Sequence, residues 1–307
     1  MGATAPNPPV GAIAVDSNGK ILATAAHQRA GTAHAEAALI EDAQRRGALQ
    51  QIETLYVTLE PCNHHGRTPP CVDAIIASGI KRLVIGCRDP NPQVKGGGIE
   101  RLRQAGIEVI TGINEAECQQ LIHPFAYFAE TGMPWVTVKR ALNREGSMLP
   151  SKGQKTFTSQ SSLLLAHRLR KKADAILTGS GTILADDPEF TVRHVPDHPD
   201  KQRFLAILDR RHRVPESYLE ATRQRGLEPL IFEDIQQALK ALTTKGVRDI
   251  LVEAGAALSQ AVLDSSYWNM SVTIQQGEPD HIITTFNQQN FVPFKAETFN
   301  WDMFLPA

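Results

Sequence analysis

The sequence predicts an α/β protein built from two domains, and three observations support this. Short apolar strands alternate with helical segments along most of the chain, and a length of 307 residues exceeds that of one typical domain. The segment AETGMPW, at 129–135, interrupts the alternation and resembles a linker. We therefore expect one domain at 1–131 and a second at 135–307, each with a parallel or mixed sheet covered by helices.

The first domain is predicted to begin with a β-hairpin. Residues 10–16 and 21–26 are apolar runs separated by SNGK, in which Asn-Gly is a strong hairpin signal. Thr32 is the predicted N-cap of a helix that ends at Gly47. Strands and helices then alternate through TLYVTLE, PPCVDAIIASGI, RLVIGCRD, IERLRQAG and IEVITG.

The second domain is predicted to begin with the strand WVTVKRAL. The segment SSLLLAHRLRKKA has helical spacing, and DAILTGSGTILADDP is expected to be a strand followed by a glycine-rich loop. The later elements are the strands RFLAILD, PLIFE and DILVEAG and the helix IQQALKALTTKG. The chain after about residue 264 is polar, and no element is predicted there.

Composition excludes several classes of partner. The net charge is -1, and no charge run suggests a nucleic-acid backbone as partner, because phosphate neutralisation needs clustered Lys and Arg. The sequence contains no apolar run of the ~18 residues that would span a bilayer, and no signal-peptide pattern. We expect a cytoplasmic protein with no membrane partner. Its four cysteines are then reduced, which favours metal binding over disulfides.

Four residues in two segments predict a zinc site. AHAEAALI contains His34 and Glu36, and LEPCNHHGRTPPC contains Cys62 and Cys71. One imidazole and two thiolates leave the fourth position of a tetrahedral zinc ion open, as in catalytic sites. A glutamate two residues after the histidine is close to the metal without binding it. This pattern is typical of zinc deaminases, in which the glutamate shuttles a proton. Cys87 and Cys118 lack such partners, so we interpret them as structural.

The loop between the two cysteines, NHHGRTPP, is longer than zinc binding requires. His65 and Arg67 are donors that suit an anionic group of a substrate, such as a phosphate. The loop is alternatively a solvated surface segment. A third interpretation is that His64 or His65 supplies a fourth ligand, which would make a closed, structural zinc site in a protein that is not an enzyme.

The segments TAPNPPVGAIAV, AHAEAALI, TLEPCNHHGRTPPC and DPNPQVKGGGIERLRQAGIEV resemble the deaminase half of the bifunctional deaminase/reductase family of riboflavin biosynthesis. VKRALNREG, HRLRKKADAILTGSGTILADDPEFTVR and ILVEAGAALS resemble its reductase half, and the likeness covers about residues 3–262. The resemblance implies a cytidine-deaminase-like three-layer α/β/α domain followed by a dihydrofolate-reductase-like domain. It implies zinc-dependent deamination of a diaminohydroxy-phosphoribosylamino-pyrimidine, then NADPH-dependent reduction of the ribose to a ribityl chain. The absence of G-x-G-x-x-G fits such an NADPH domain.

The resemblance also assigns residues. His34, Cys62 and Cys71 are expected to bind zinc, with Glu36 as the proton shuttle and Asn7 as a substrate contact. The NADPH positions are Ala141, Phe157, Thr182, Asp186 and Gly255, and the substrate positions in the second domain are Arg170, Phe190, Arg193 and Glu253. The glycines of GSGT permit close approach of a ligand to the backbone. For Asp186 and its neighbour Asp187, capping of a turn is the alternative.

The chain departs from the family in two places. It begins almost at the APNP segment, where family members have a preceding helix. Without that helix, one face of the sheet would be exposed to solvent or covered by a partner subunit. We expect a homo-oligomer. In the second domain, Glu145 replaces an aspartate of the family and Phe157 replaces a tryptophan. Lys155 replaces a substrate-binding serine, and Arg210 replaces a cofactor-side serine. A deaminase with a degenerate, non-catalytic reductase domain is therefore the alternative.

Overall fold

The computed structural model describes residues 2–64, 69–91, 97–150 and 156–301. It divides into two compact units, each described separately below. The first comprises Ala3–Thr131 with the described part of Pro293–Met303, and the second is Gly132–Val292. Across the described ranges, none of the helices combines the length and the apolar character needed to cross a membrane.

The first unit contains a five-stranded sheet in the order β2-β1-β3-β4-β5. Its strands are β1 Gly11–Val15, β2 Ile21–Ala26, β3 Thr54–Leu59, β4 Arg82–Cys87 and β5 Glu108–Thr111. β1 is antiparallel to β2 and β3, whereas β3, β4 and β5 are parallel. The predicted hairpin at SNGK is confirmed. Because β3 and β4 are parallel and adjacent, the loops after them open at the same edge of the sheet.

In the described part of this unit, five α-helices lie around the sheet: α1 Ala35–Arg45, α2 Cys71–Ser78, α3 Gly98–Gln104, α4 Glu115–Leu121 and α5 His123–Thr131. The first three share one core with the strands, in which Leu39, Leu55 and Ile85 are fully buried. Side chains alternate along a strand, so Gly86 faces away from that core. A Cβ at Gly86 would clash with Cys118 Sγ, which shows how closely α4 packs there. These layers confirm the predicted α/β/α fold.

Two local features of the first unit were not predicted. The N-cap of α1 is His34 and not Thr32, whose hydroxyl instead donates to the Arg29 carbonyl at 2.8 Å in the preceding turn. The C-terminal segment packs on α4, where Gln120 exchanges two hydrogen bonds of 2.7 and 2.9 Å with the backbone of Asn300. Residues near the chain end therefore belong to the same unit as the predicted zinc ligands.

The second unit contains a seven-stranded sheet in the order β12-β11-β6-β10-β7-β8-β9. Its strands are β6 Trp135–Leu142, β7 Ala175–Gly179, β8 Arg203–Leu208, β9 Leu227–Phe232, β10 Asp249–Val252, β11 Met270–Gln275 and β12 His281–Phe286. All neighbours are parallel except β11 and β12. The sequence predicted no element after residue 264, and this was wrong for β11 and β12. β11 was missed because Ser271 and Thr273 give it a polar sequence although both residues are buried. β12 was missed because it is a largely exposed strand at the edge of the sheet.

The helices of the second unit are α6 Gln160–Lys172, α7 Ser180–Asp186, α8 Glu216–Gln224, α9 Ile235–Thr244 and α10 Ala256–Leu263. The prediction of a glycine-rich loop after β7 was wrong, because GSGTILAD begins α7 directly. Gly179 precedes that helix, and a Cβ there would lie 3.0 Å from Leu258 of α10. The missing side chain thus lets the starts of α7 and α10 approach each other.

Candidate functional site

The three predicted zinc ligands converge in the first unit. His34 is the N-cap of α1, Cys62 follows β3, and Cys71 is the first residue of α2. His34 Nδ1 lies 3.4 Å from Cys71 Sγ and 3.5 Å from Cys62 Sγ, and all three ligand atoms lie within 4.8 Å of one another. His34 and Cys71 are 37 positions apart in the sequence, yet their potential metal-binding atoms lie next to each other in the fold.

The spacing of these donors fits a zinc ion. For tetrahedral zinc with bonds of about 2.0 Å to nitrogen and 2.3 Å to sulfur, the nitrogen–sulfur separation is roughly 3.5 Å. The observed 3.4 and 3.5 Å agree with that value. In the parts of the chain that the structure describes, no other His, Cys, Asp or Glu joins this group of three. His64, one of the two alternative fourth ligands, is therefore not part of the group. His65, the second alternative, and Arg67 lie outside the described residues.

The electrostatics of the site favour a thiolate at Cys62. Hydrogen bonds from the Cys71 thiol and from His34 hold the pKa of Cys62 well below its ordinary value. The Cys71 backbone N–H also donates to Cys62 Sγ at 3.3 Å. The same thiol–thiolate bond, together with burial, raises the pKa of Cys71. These interactions favour a negative Cys62 sulfur at the point where a dication would bind.

Glu36 lies beside the ligands in the first turn of α1. It is only 3% exposed, yet it lines a cavity of about 470 Å³ together with His34 and Cys62. Burial raises the pKa of Glu36 to about 7, so its carboxyl group can both accept and release a proton near neutral pH. A buried carboxyl next to three metal ligands is the arrangement that proton transfer at a zinc site requires.

Asn7 lines the same cavity and is held by a histidine that the sequence did not reveal. Asn7 Nδ2 donates to His27 Nε2 at 3.1 Å, and His27 Nδ1 donates to the Ala33 carbonyl at 3.1 Å. Burial lowers the pKa of His27, so the ring is neutral and these two partners assign its tautomer. His27 directly follows the partly exposed strand β2 and belongs to no recognisable sequence motif, so the sequence analysis could not identify it.

In the second unit, the buried carboxylate of Glu253 forms ion pairs with two cationic side chains. Glu253 follows β10 and is bound by Arg170 Nε at 2.5 Å and by Lys139 Nζ at 3.0 Å. Burial alone would raise the pKa of Glu253, but Arg170 and Lys139 outweigh it and hold the pKa at about 2. The sequence analysis did not predict a role for Lys139. A lysine in the apolar strand WVTVKRAL does indicate a buried ion pair, because charged residues are rarely buried without a partner.

The predicted substrate residues of the second unit lie around this cluster. Arg170 Nη1 donates to the Thr191 carbonyl at 3.2 Å, and its guanidinium lies 6.0 Å from the centre of the Phe190 ring. Arg193 is different, because its exposed side chain pairs with Glu189. The structure therefore brings Arg170, Phe190 and Glu253 together and leaves the Arg193 side chain at the surface.

Two of the predicted cofactor residues touch each other. Thr182 Oγ1 accepts a hydrogen bond from the Gly255 backbone N–H at 2.8 Å, which joins α7 to the start of α10. Asp186 lies at the exposed end of α7, and Ala141 is on β6. Among the described residues, no side-chain hydrogen bond or ion pair joins Ala141, Phe157 or Asp186 to that pair. Their role at the cofactor stays a prediction.

The fold and site of the first unit define a zinc-dependent deaminase, and the model of the cytidine and deoxycytidylate deaminase zinc-binding region matches residues 1–87. The model of the RibD C-terminal domain matches residues 134–270. The riboflavin biosynthesis protein RibD of Aquifex aeolicus (strain VF5) is 39% identical over 291 residues, covering 94% of this chain and 80% of the relative. The chain therefore belongs to the RibD family.

Two further relatives agree with this assignment. RibD of Escherichia coli (strain K12) is 36% identical over 295 residues, which cover 85% of this chain and 79% of the relative. The crystal structure of a diaminohydroxyphosphoribosylaminopyrimidine deaminase/5-amino-6-(5-phosphoribosylamino)uracil reductase from Thermotoga maritima has a TM-score of 0.77 at 34% identity. That match covers 90% of this chain and 82% of the other. The protein is an enzyme of riboflavin biosynthesis with deaminase and reductase activities, and its cofactors are zinc and NADPH.

Proposed function

We propose that the first unit deaminates the diaminohydroxyphosphoribosylaminopyrimidine and that the second reduces the resulting 5-amino-6-(5-phosphoribosylamino)uracil. The Thermotoga maritima relative is named for these two activities. The observation that carries the proposal is the buried Glu36 beside His34, Cys62 and Cys71, at the wall of a cavity large enough for a pyrimidine.

Glu36 performs the proton transfers of the deamination. Zinc, when bound by His34, Cys62 and Cys71, supplies a Lewis acid that lowers the pKa of a water molecule. The Glu36 carboxylate would accept a proton from the attacking water molecule and would then deliver a proton to the leaving amino group. Burial raises the pKa of Glu36, which makes its carboxylate a stronger proton acceptor than an exposed one.

The other residues of the first unit bind and orient the substrate. The amide of Asn7 faces the cavity in an orientation fixed by the neutral His27. His65 and Arg67 remain candidates for the ribose phosphate, on the chemical ground that cationic donors form charge-assisted hydrogen bonds with phosphate oxygens. Together these groups would hold the pyrimidine with its amino-bearing carbon toward Glu36.

In the second unit, Glu253 is proposed to position the two cations that face the substrate. NADPH, when bound, supplies the hydride that reduces the ribose to a ribityl chain. Arg170 and Lys139 provide positive charge beside the Phe190 ring, and Arg193 is a further candidate for the phosphate. Thr182 and Gly255 are assigned to the cofactor, with Ala141, Phe157 and Asp186 as further cofactor positions.

A coupled assay tests both halves. With the deaminase substrate, zinc and NADPH, we expect ammonia release followed by NADPH oxidation, with the second signal dependent on the first. Ammonia release is measured enzymatically, and NADPH oxidation by its absorbance. Ammonia without NADPH oxidation would support the alternative of a degenerate reductase domain, and the absence of both would contradict the proposal.

We infer that the protein is a homo-oligomer. An apolar row crosses the first sheet through register partners Ile13, Tyr56, Val84 and Ile110. Ile13 is 42%, Tyr56 41% and Ile110 38% exposed, which is the kind of patch that a second subunit buries.

Light scattering after size exclusion should give a mass of two or more chains, and Ile13→Lys should shift it toward the monomer. Ile231→Lys is the matched control, because Ile231 is 39% exposed on β9 of the other unit. A monomeric wild type would contradict the inference.

A further inference from the structure

We propose that His167 is a positioning residue of the reductase site, whose imidazole holds the segment 188–193 against α6 through the backbone of Arg193. This inference rests on the reductase function proposed for the second unit. The ring acts through the backbone that carries Phe190 and Arg193, two of the predicted substrate residues, and the sequence gave His167 itself no role.

The segment 188–193 follows α7 and has a shape that needs support from its surroundings. Phe190 is 3% exposed and adopts a φ of 55°, in the left-handed region that bulky side chains rarely occupy. Such a conformation persists only where neighbouring groups fix it. Before Phe190, the Tyr218 hydroxyl donates to the Pro188 carbonyl at 2.6 Å. The chain after Phe190 therefore needs a comparable attachment if the ring is to stay in place.

That attachment comes from one face of α6. Arg170 Nη1 donates to the Thr191 carbonyl at 3.2 Å. The Arg193 backbone N–H donates to His167 Nδ1 at 3.0 Å. His167 and Arg170 are three positions apart in the helix, so their side chains project from the same face. Because Arg170 is also bound by Glu253, the segment is tied to the buried charge cluster and to the histidine next to it.

The state of the His167 ring suits a fixed acceptor. It is 1% exposed, and burial, followed by the charge of Arg170, lowers its pKa to about 4. The ring is therefore neutral near neutral pH. A backbone N–H can only donate, so Nδ1 is the unprotonated nitrogen and the proton lies on Nε2. The His194 ring packs edge-on against it, with centroids 4.6 Å apart.

This hydrogen bond sets where Phe190 and Arg193 are presented to the substrate. Without an acceptor at position 167, the buried N–H of Arg193 would lose its partner and the end of the segment would be released from α6. Substrate binding should then weaken. Cofactor binding should not change, because the bond between Thr182 and Gly255 joins α7 to α10 without involving this segment.

Two variants of the same shape isolate the hydrogen bond. Asn and Leu have nearly equal size and branching, and Asn Oδ1 lies about where the histidine Nδ1 lies, whereas Leu has no acceptor. We expect the KM for 5-amino-6-(5-phosphoribosylamino)uracil to be roughly 10-fold higher in His167→Leu than in His167→Asn, because an unsatisfied buried donor costs about that factor. The KM for NADPH should be the same in both. A role in helix stability alone would favour Leu, since Leu is the better helix former.

His194→Phe is the matched control. It replaces the neighbouring imidazole but keeps a ring against His167, and both KM values should stay at those of the wild type. If His167→Leu does not fold, His167→Gln takes its place in the comparison with His167→Asn. The Gln amide lies one bond farther from the backbone, so it places no acceptor at the position of Nδ1.

A binding measurement separates this inference from the proposed reaction. Ribose 5-phosphate carries the sugar and phosphate of the substrate, and calorimetry should show weaker binding to His167→Leu than to His167→Asn. Any binding to the first unit is common to both proteins and cancels in the comparison. Such a difference would support the inference even if the wild type oxidised no NADPH in the coupled assay. Equal substrate KM in the two variants, or equal ribose 5-phosphate binding where no NADPH is oxidised, would overturn it.

Discussion

Replacing Glu36 with Gln is expected to lower kcat for ammonia release by roughly 10²–10⁴-fold, the range typical of a general acid–base group. The amide has nearly the same size, but it cannot accept a proton from the attacking water or deliver one to the leaving amino group. Since Glu36 is not among the three converging donors, the zinc content should stay at that of the wild type. Ammonia release and zinc content, the latter by mass spectrometry, are measured on the same preparation.

Glu41→Gln is the matched control, because Glu41 lies on the exposed face of the same helix. It removes a carboxylate from α1 without touching the cavity, and its ammonia release should equal that of the wild type. A Glu36→Gln protein that keeps zinc and retains most of its activity would show that another group moves the proton. Loss of zinc in that variant would instead make Glu36 a ligand, contrary to the geometry.

The first-unit site was largely predictable because its chemistry is encoded in short linear patterns. His34 and Glu36 are two residues apart, and Cys62 follows Pro61 directly after a strand, so a few positions identify a known kind of site. His27 was not predictable in this way. Its function depends on hydrogen bonds to Asn7 and Ala33, and only the fold brings those groups to the two ring nitrogens.

The second unit shows where local patterns fail. GSGTILAD has the glycines of a loop, yet it forms α7, because the start of that helix packs closely against Leu258. β11 carries buried Ser271 and Thr273, so its tertiary burial overrides its polar appearance. The cluster of Lys139, Arg170 and Glu253 combines residues from β6, α6 and the end of β10, and no sequence spacing relates three such elements.

That cluster leads to the largest expected effect on stability. Glu253→Gln removes the carboxylate that both Arg170 and Lys139 contact. It leaves two cations together with little solvent access. Breaking a buried ion pair in this way costs about 3–5 kcal/mol. We expect the urea midpoint of the second unit to fall accordingly, as followed by tryptophan fluorescence, to which Trp135, fully buried in β6, contributes. Glu189→Gln, which breaks the exposed pair with Arg193, should cost no more than about 1 kcal/mol.

The effect of Glu253→Gln should also depend on pH in a defined direction. The folded-state pKa of Glu253, about 2, lies below its ordinary value of 4.5. A carboxyl group with a depressed pKa contributes stability that is fully present above the ordinary value and is lost as the pH falls through the folded-state value. The difference in unfolding free energy between wild type and variant should therefore be constant above a pH of about 5 and shrink toward pH 2. A difference that did not vary over this range, or one no larger than that of Glu189→Gln at neutral pH, would mean that the charge of Glu253 does not hold Arg170 and Lys139 in place.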